Sequence, residues 1–248
     1  MRFLLLRLGD DDLERSLRLA EALFDAGHRP TPAHRTLAAG RRLRGRLMGA
    51  LVGLTAAQFD QGWGEDEWSV RRVAGHLIAV DRRYRIGARH AVERFRAGGV
   101  GPLRPPDAGM PERTGRAESE GTMAEVLAQL QEAHDEAMDG LANVAGAELE
   151  APTNWASWDV DVRFRLQRFA DHDREHLVQI RKTLAAIGFV PTEPQRLLEE
   201  AAAARGDLEA RLVGVTEDSA GAAAAAAALT EAAAAERALV AQTVRAAQ

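Results

Sequence analysis

Residues 69–97, SVRRVAGHLIAVDRRYRIGARHAVERFRA, repeat apolar side chains at helical spacing. Ser69 suits an N-cap, its side-chain oxygen able to accept from a backbone N–H in the first turn. One face of the helix, Val70 to about Ala97, then carries Val73, His76, Leu77, Val80, Tyr84, Ala88, Ala91 and Phe95. Working outward, Gly98 to Gly121 is rich in Gly, Pro and charge and reads as a long loop, a length that in a compact domain is often functional. Thr122 and Glu125 form a capping box for a helix to about Val144, lined by Val126, Leu127, Leu130, Ala133, Ala137 and Leu141. The stretch 146–162, GAELEAPTNWASWDVDV, connects to a helix over about Arg163–Ile187, closed by Gly188 with Pro191 beyond. On the other side, Thr31-Pro32 opens a helix to about Leu54 with Leu43, Leu47, Ala50, Leu51 and Leu54 as its stripe, followed by the loop TAAQFDQGWGEDE.

Convincing strand alternation is absent, so the fold class is all-α: a four-helix bundle over 31–190. An N-terminal helical extension occupies 1–30, with Leu13, Leu17, Ala20 and Phe24 as the inner face of a helix over Asp11–Ala26. A C-terminal helical extension occupies 191–248, opened by Thr192 and Gln195, with an alanine-rich tract over 222–235. That extension contains an echo. RGDLEARLVGVT (205–216) matches RGRLMGALVGLT (44–55) at seven of twelve positions. A partial duplication of the first bundle helix and a chance likeness of two leucine-and-glycine helices both account for it. No second Trp-Ser-Val…His segment follows.

Composition narrows the function classes. A net charge of −5 lacks the clustered basic residues that phosphate-backbone binding needs, so no nucleic-acid partner is expected. There are no cysteines, which removes disulfides, thiolate metal sites and a cysteine nucleophile; any thiol must come from outside. The apolar patch Phe3–Leu8 is interrupted by Arg7 and followed by Asp10, Asp11 and Asp12, too short for a signal-peptide core. No apolar run reaches a membrane span of about 18 residues. The expectation is a cytoplasmic protein with a small-molecule substrate, and with a homodimer as its oligomeric form if the extension helices pair with a second copy.

His172 and His176 stand four apart in FADHDREHLVQI, and so share one helix face. His76 sits on the inner face of the earlier helix. Three imidazoles from two facing helices can bind one ion at roughly 2.0–2.1 Å each and leave positions open, the layout of a catalytic site rather than a closed structural one. HDREH also spells HxxEH, the pattern of inverted zinc peptidases with Glu175 as base, but those enzymes need an α/β scaffold and a distant glutamate. Singly, each histidine reads as an ordinary core or surface residue. His28, His34, His90 and His134 have no such context and read as surface or capping residues.

EWSVRRVAGHLIAVDRRY (67–84), followed by HDREHLVQIRKTL (172–184) and preceded by LMGALVGLTAAQFDQGW (47–63), resembles the DinB-like superfamily over roughly Thr31–Gly188. The resemblance implies a four-helix bundle holding a divalent ion, zinc, nickel or iron, on His76, His172 and His176. It also implies the activities of that family, which includes transferases and isomerases dependent on mycothiol or bacillithiol, and some hydrolases. A related domain in sulfoxide synthases uses a similar triad for iron, but beside a large second domain that this chain lacks. The functional expectation is a metal-dependent thiol S-transferase or hydrolase acting on a small electrophile, with a low-molecular-weight thiol as cosubstrate in the first case. A non-catalytic or stress-associated metal-binding bundle fits the same ligands; an exchangeable coordination position separates the two.

Other residues near the ligands have a functional reading and a bland one. Tyr84, the only tyrosine, lies eight residues past His76 and can place a hydroxyl in the pocket or simply pack in the core. Glu175 is a candidate acid–base group, though it sits about 100° round the helix from His176. Arg72 and Arg83 can bind a substrate carboxylate or face solvent, and Arg168 and Gln179 flank the second ligand pair in the same way. Asp171 and Asp173 can accept from an imidazole N–H or remain solvated charges. Trp155 and Trp158 can line the pocket mouth, while Trp68 reads as a structural plug.

Overall fold

The computed structural model describes residues 2–219 and 221–246, and for 236 and 239–246 the backbone alone. Its helices are α1 (Arg2–Asp25), α2 (Pro32–Leu51), α3 (Ala56–Asp60), α4 (Val70–Arg96), α5 (Met123–Leu141), α6 (Val162–Ala186), α7 (Glu193–Arg211) and α8 (Ala222–Ala246). Between α5 and α6 lie two short strands, β1 (Pro152–Trp155) and β2 (Trp158–Asp161). The fold is all-α, with α2, α4, α5 and α6 packed as the bundle. Local chemistry sets the boundaries. Side chains of Thr31, Ser69 and Asp161 accept from the backbone N–H three residues on, and Thr122 and Thr192 close full capping boxes with Glu125 and Gln195.

The bundle core has three levels. One apolar cluster gathers Leu37 from α2, Tyr84 and Ala88 from α4, Met138 and Leu141 from α5, and Leu166 and Phe169 from α6. The other gathers Leu47 and Leu51, Val73 and Leu77, Val126 and Leu130, and Ile180 and Leu184 from the same four helices. Between them each helix contributes one buried polar residue: Arg44, Asp81, His134 and Asp173. Arg44 Nε and one of its terminal nitrogens bind both oxygens of Asp173 at 3.0 and 2.9 Å. The same terminal nitrogen donates to Asp81 at 2.6 Å, and the other reaches the Leu130 carbonyl at 2.9 Å. Burial raises the pKa of both carboxyls, and the Arg44 charge opposes it. A guanidinium that donates all round is the arrangement that makes a buried charge tolerable.

Several expectations change. His134 is not a surface or capping residue: it is fully buried, with no hydrogen bond to either ring nitrogen. The TAAQFDQGWGEDE segment contains α3, whose Phe59 plugs the core. The 146–162 connection is a β-hairpin with Trp155 opposite Trp158. Its four-residue strands are too short to show alternation, and its turn uses Ala156 at φ 55° rather than a glycine or asparagine signal. Phe95 is exposed at the end of α4, beyond the reach of the core.

The α1 helix begins earlier than expected and buries the other side. Leu13, Leu17 and Phe24 are 49, 54 and 63 % exposed, while Leu5, Asp12, Ser16, Leu19 and Leu23 face inward. The reason is a close helix contact. Leu19 and Leu23 pack with Leu208 of α7 and Ala225 and Ala232 of α8. Ser16 is small enough for α7 to approach, and its hydroxyl donates to the Asp207 carbonyl at 3.4 Å. Buried Asp12 is neutralised by Arg15 at 2.6 Å. In turn α7 lies along α2, touching at Gly45 and Gly49: a Cβ on Gly45 would fall 2.8 Å from the Gly206 Cα, and one on Gly49 would fall 2.9 Å from the Glu199 Cα. Among the described residues no helix is long and apolar enough to cross a membrane.

Candidate metal centre

Helices α4 and α6 bring His76, His172 and His176 together, with candidate ligand atoms all within 4.8 Å of one another. The Nε2 atom of His172 lies 3.3 Å from that of His76 and 3.0 Å from that of His176. Nitrogens bound tetrahedrally at 2.0–2.1 Å stand about 3.3 Å apart, so the spacing suits one ion. The outer nitrogens fix the tautomers. His76 Nδ1 donates to the Arg113 carbonyl at 2.6 Å, and His176 Nδ1 donates to Gln179 Oε1 at 2.7 Å. With Nδ1 carrying the proton, each Nε2 presents a lone pair inward, the form a metal ligand needs. His172 Nδ1 is buried without a partner.

Burial pushes all three rings toward the neutral form. Burial, reinforced by the neighbouring imidazoles, pushes His172 down to about 2 and His176 to about 4. Burial also lowers His76, against the Arg113 carbonyl bond that raises it. Three neutral donors, two with outward acceptors, make a site suited to a divalent cation.

The 98–121 loop supplies one of those acceptors because it docks on the start of α4. Gly115, at φ +63°, lies against Gly75: a Cβ on Gly115 would fall 2.1 Å from the Gly75 carbonyl oxygen, and one on Gly75 2.5 Å from the Gly115 oxygen. Two facing glycines thus let the loop backbone reach the residue before His76. The Pro111 carbonyl accepts from Arg83 at 2.5 Å and the Pro102 carbonyl bonds His90 at 2.9 Å, which tie the loop along α4.

Beside the imidazoles opens a cavity of about 500 Å³, lined by His76 and His172, by Val80, Arg83 and Tyr84 of α4, by the loop, by the hairpin and by the first turns of α6. The expected residues fall into two groups. Arg83, Tyr84, Trp155 and Glu175 line the cavity. Arg72 does not: its guanidinium covers the Trp68 ring at 5.0 Å. Trp158 does not either; it is 65 % exposed and meets Trp155 edge-on. Glu175 is held by both terminal nitrogens of Arg168 at 3.1 Å, which keeps its carboxyl below the usual range. Arg168 Nε in turn points to the Tyr84 hydroxyl at 3.5 Å. Asp173 turns away from the imidazoles to Arg44, and Asp171 pairs with Arg174.

Arg104, Arg113 and Arg165 are cavity residues that sequence reasoning missed. Arg165 had a signal, since it precedes His172 by seven residues and so falls on the same face of α6. The other two depend on how the loop folds back, which local sequence does not encode.

Two facing helices of a helical bundle thus gather three imidazoles at the end of a pocket, a cluster that could hold a metal ion. The profile of the DinB superfamily matches residues 39–180, more than half of the chain and all three histidines, and the chain belongs to that superfamily. No curated protein and no solved structure matches the chain.

Proposed function

We propose that this protein is a metal-dependent enzyme, a thiol S-transferase or a hydrolase, acting on a small electrophilic substrate. The observation that carries the reading is the junction of the three-histidine cluster with a cavity large enough for a small molecule. A site walled in by protein would be structural; His76 and His172 line open space. A divalent ion held there would supply Lewis acidity, the chemistry that acidifies water or a thiol toward neutral pH. Zinc, nickel and iron all suit imidazole. With no cysteine in the chain, the thiol of a transfer reaction is a cosubstrate.

The chain's own groups have separable tasks. His76, His172 and His176 would hold the ion, with the Arg113 carbonyl and Gln179 orienting two of the rings. The Tyr84 hydroxyl faces the cavity beside Arg168, placed to donate to a leaving group or a carbonyl oxygen. Glu175, ionised and spent on Arg168, serves to orient that arginine rather than to take a proton. Trp155, with Arg168 over its ring at 5.2 Å, gives an aromatic wall.

The test is elemental analysis of protein purified without chelator or histidine tag, beside the His172→Ala/His176→Ala double variant. Near-stoichiometric metal in the parent, lost in the variant, is the expected result, and a thiol-conjugation and ester-hydrolysis screen then follows. Parent protein that neither carries nor takes up zinc, nickel or iron overturns the reading. Stoichiometric metal without turnover in the screen favours a non-catalytic metal-binding bundle.

A further inference from the structure

The cavity beside the histidines has a charge imbalance. Arg83, Arg104, Arg113 and Arg165 all line it, and among the described residues none of the four is within ion-pair distance of a carboxylate. Arg83 and Arg104 are anchored only to carbonyls, those of Pro111 and Ala156. Among the described residues Arg113 and Arg165 have no side-chain hydrogen bond, and the buried Arg165 Nε has no partner. The lining holds two acids, and Glu175 is already consumed by Arg168. Only Asp107 remains, so the four arginines carry an excess of about three positive charges into a half-enclosed space.

Burial and like charge both weigh on these guanidiniums. Burial above all, with Arg83, Arg104 and Arg113 adding their like charges, holds Arg165 below the ordinary guanidinium range against the pull of Tyr84. Burial and then Arg113 do the same to Arg83, and Asp107 offsets only part of it. Like charges converge in a partly desolvated pocket only at a cost, which a bound anion would remove. The helix backbone leaves room for this: a Cβ on Gly87 would sit 3.4 Å from the Arg165 guanidinium carbon. The rest of the wall is apolar, from Val80, Pro105, Met110 and the Trp155 ring.

We infer that the cavity binds a small dicarboxylate, its carboxylates held by Arg83, Arg104, Arg113 and Arg165 and its carbon skeleton lying against Trp155 and Met110. The inference deepens the proposed reading and rests on it, in that the cavity is taken as the substrate site of the metal centre. Guanidinium groups match carboxylate oxygens two at a time, which makes the pairing geometric as well as ionic. A neutral or cationic electrophile would leave the four charges uncompensated.

The experiment is calorimetric titration of the metal-loaded full chain with succinate and with glutarate, against butyrate and dimethyl succinate. The dianions should bind at least tenfold more tightly than butyrate, and the diester should not bind measurably. Arg165→Gln, and Arg113→Gln, which removes an exposed guanidinium but keeps the backbone carbonyl that bonds His76, should each weaken dianion binding about tenfold or more, a loss of about 1.4 kcal/mol, with metal content unchanged. The His172→Ala/His176→Ala variant should keep dianion affinity within a few-fold while losing the metal. Three results would overturn the inference: no dianion binding up to about 10 mM, weaker than any affinity worth about 2.7 kcal/mol; equal affinity for butyrate; or dianion binding that vanishes in the double-histidine variant and survives both arginine substitutions, since the metal alone would then be the receptor. Dianion binding without turnover leaves this inference standing and removes the enzymatic one.

Discussion

Of the four arginines between positions 41 and 46, Arg44 alone is fully buried, and its neighbours in sequence give no hint of it. RRLRGR reads as a solvated basic face; the partners that bury Arg44, Asp81 and Asp173, arrive from helices 37 and 129 residues away. The histidine cluster was legible because four-residue spacing fixes a helix face locally. The polar layer was not, because its logic is entirely between helices. Arg44→Met should cost about 3–5 kcal/mol, since it strands two buried carboxylates. The triple variant Arg44→Met, Asp81→Leu, Asp173→Leu should recover most of that loss in urea unfolding. Equal stability of Arg44→Met and the parent would show the layer to be solvated. His134 in the same layer gives a pH test. Burial first, then Arg44, puts its folded pKa well below the ordinary 6.5. The unfolded chain therefore takes up a proton first as pH falls. The stability contribution is complete above about 6.5 and drains away below it. His134→Leu removes both the orphaned ring nitrogens and this sensitivity. The variant should match or exceed the parent at pH 7, and its advantage should widen by roughly 2 kcal/mol by pH 5. Parallel pH profiles for the two proteins would refute the assignment.

At the scale of elements, helices with a strong cap and an unbroken apolar stripe were readable, and α4, α5 and α6 begin and end within a residue or a few of their sequence signals. The α1 helix shows where the reading fails. It is apolar on two sides, and periodicity does not say which side a partner will cover. The 98–121 loop was readable as long and irregular, but not as the element that supplies an acceptor to His76 in the candidate metal site. Its docking depends on Gly115 meeting Gly75, so Gly115→Ala should push the loop backbone away and withdraw the Arg113 carbonyl from His76. Loss of such an orienting acceptor typically costs 10–100-fold in metal affinity. The matched control is Gly109→Ala, which has a similar φ of +82° but open space around it, so it carries the backbone cost without the clash. Competitive chelator titration should therefore show weakened metal binding in the first variant and parent-like binding in the second. Equal weakening in both would assign the effect to loop stiffness instead of to the His76 acceptor.

At the scale of the whole molecule, the sequence echo turns out to be a contact. Gly45 of α2 and Gly206 of α7 are corresponding positions of the repeat, and they touch each other: a Cβ on either would meet the Cα of the other at 2.8 to 3.0 Å. The correspondence extends to both ends of the helices. Thr31 and Thr192 cap the starts, and Gly53 and Gly214 follow the ends at φ +77° and +81°. Leu54 and Val215 then donate back to Leu51 and Leu212 in matching turns. The likeness of the two helices thus extends to caps, turn and contact point. The α7 helix provides a small-residue face that lets two helices approach closely, and it ties the C-terminal helices to the bundle through α2. Gly45→Val should force those backbones apart and lower unfolding free energy by about 1–3 kcal/mol, the usual cost of overpacking. Gly146→Ala, in open space, should be neutral. Because α2 supplies Arg44 but no metal ligand, Gly45→Val should leave metal stoichiometry intact at temperatures where the chain is folded. If metal binding fell together with stability, the α2–α7 contact would have to transmit strain through Arg44 and Asp173 to His172. Hydrogen exchange would separate the two cases, since loss confined to α7 and α1 supports a docked accessory layer, while loss spreading into α6 supports transmission.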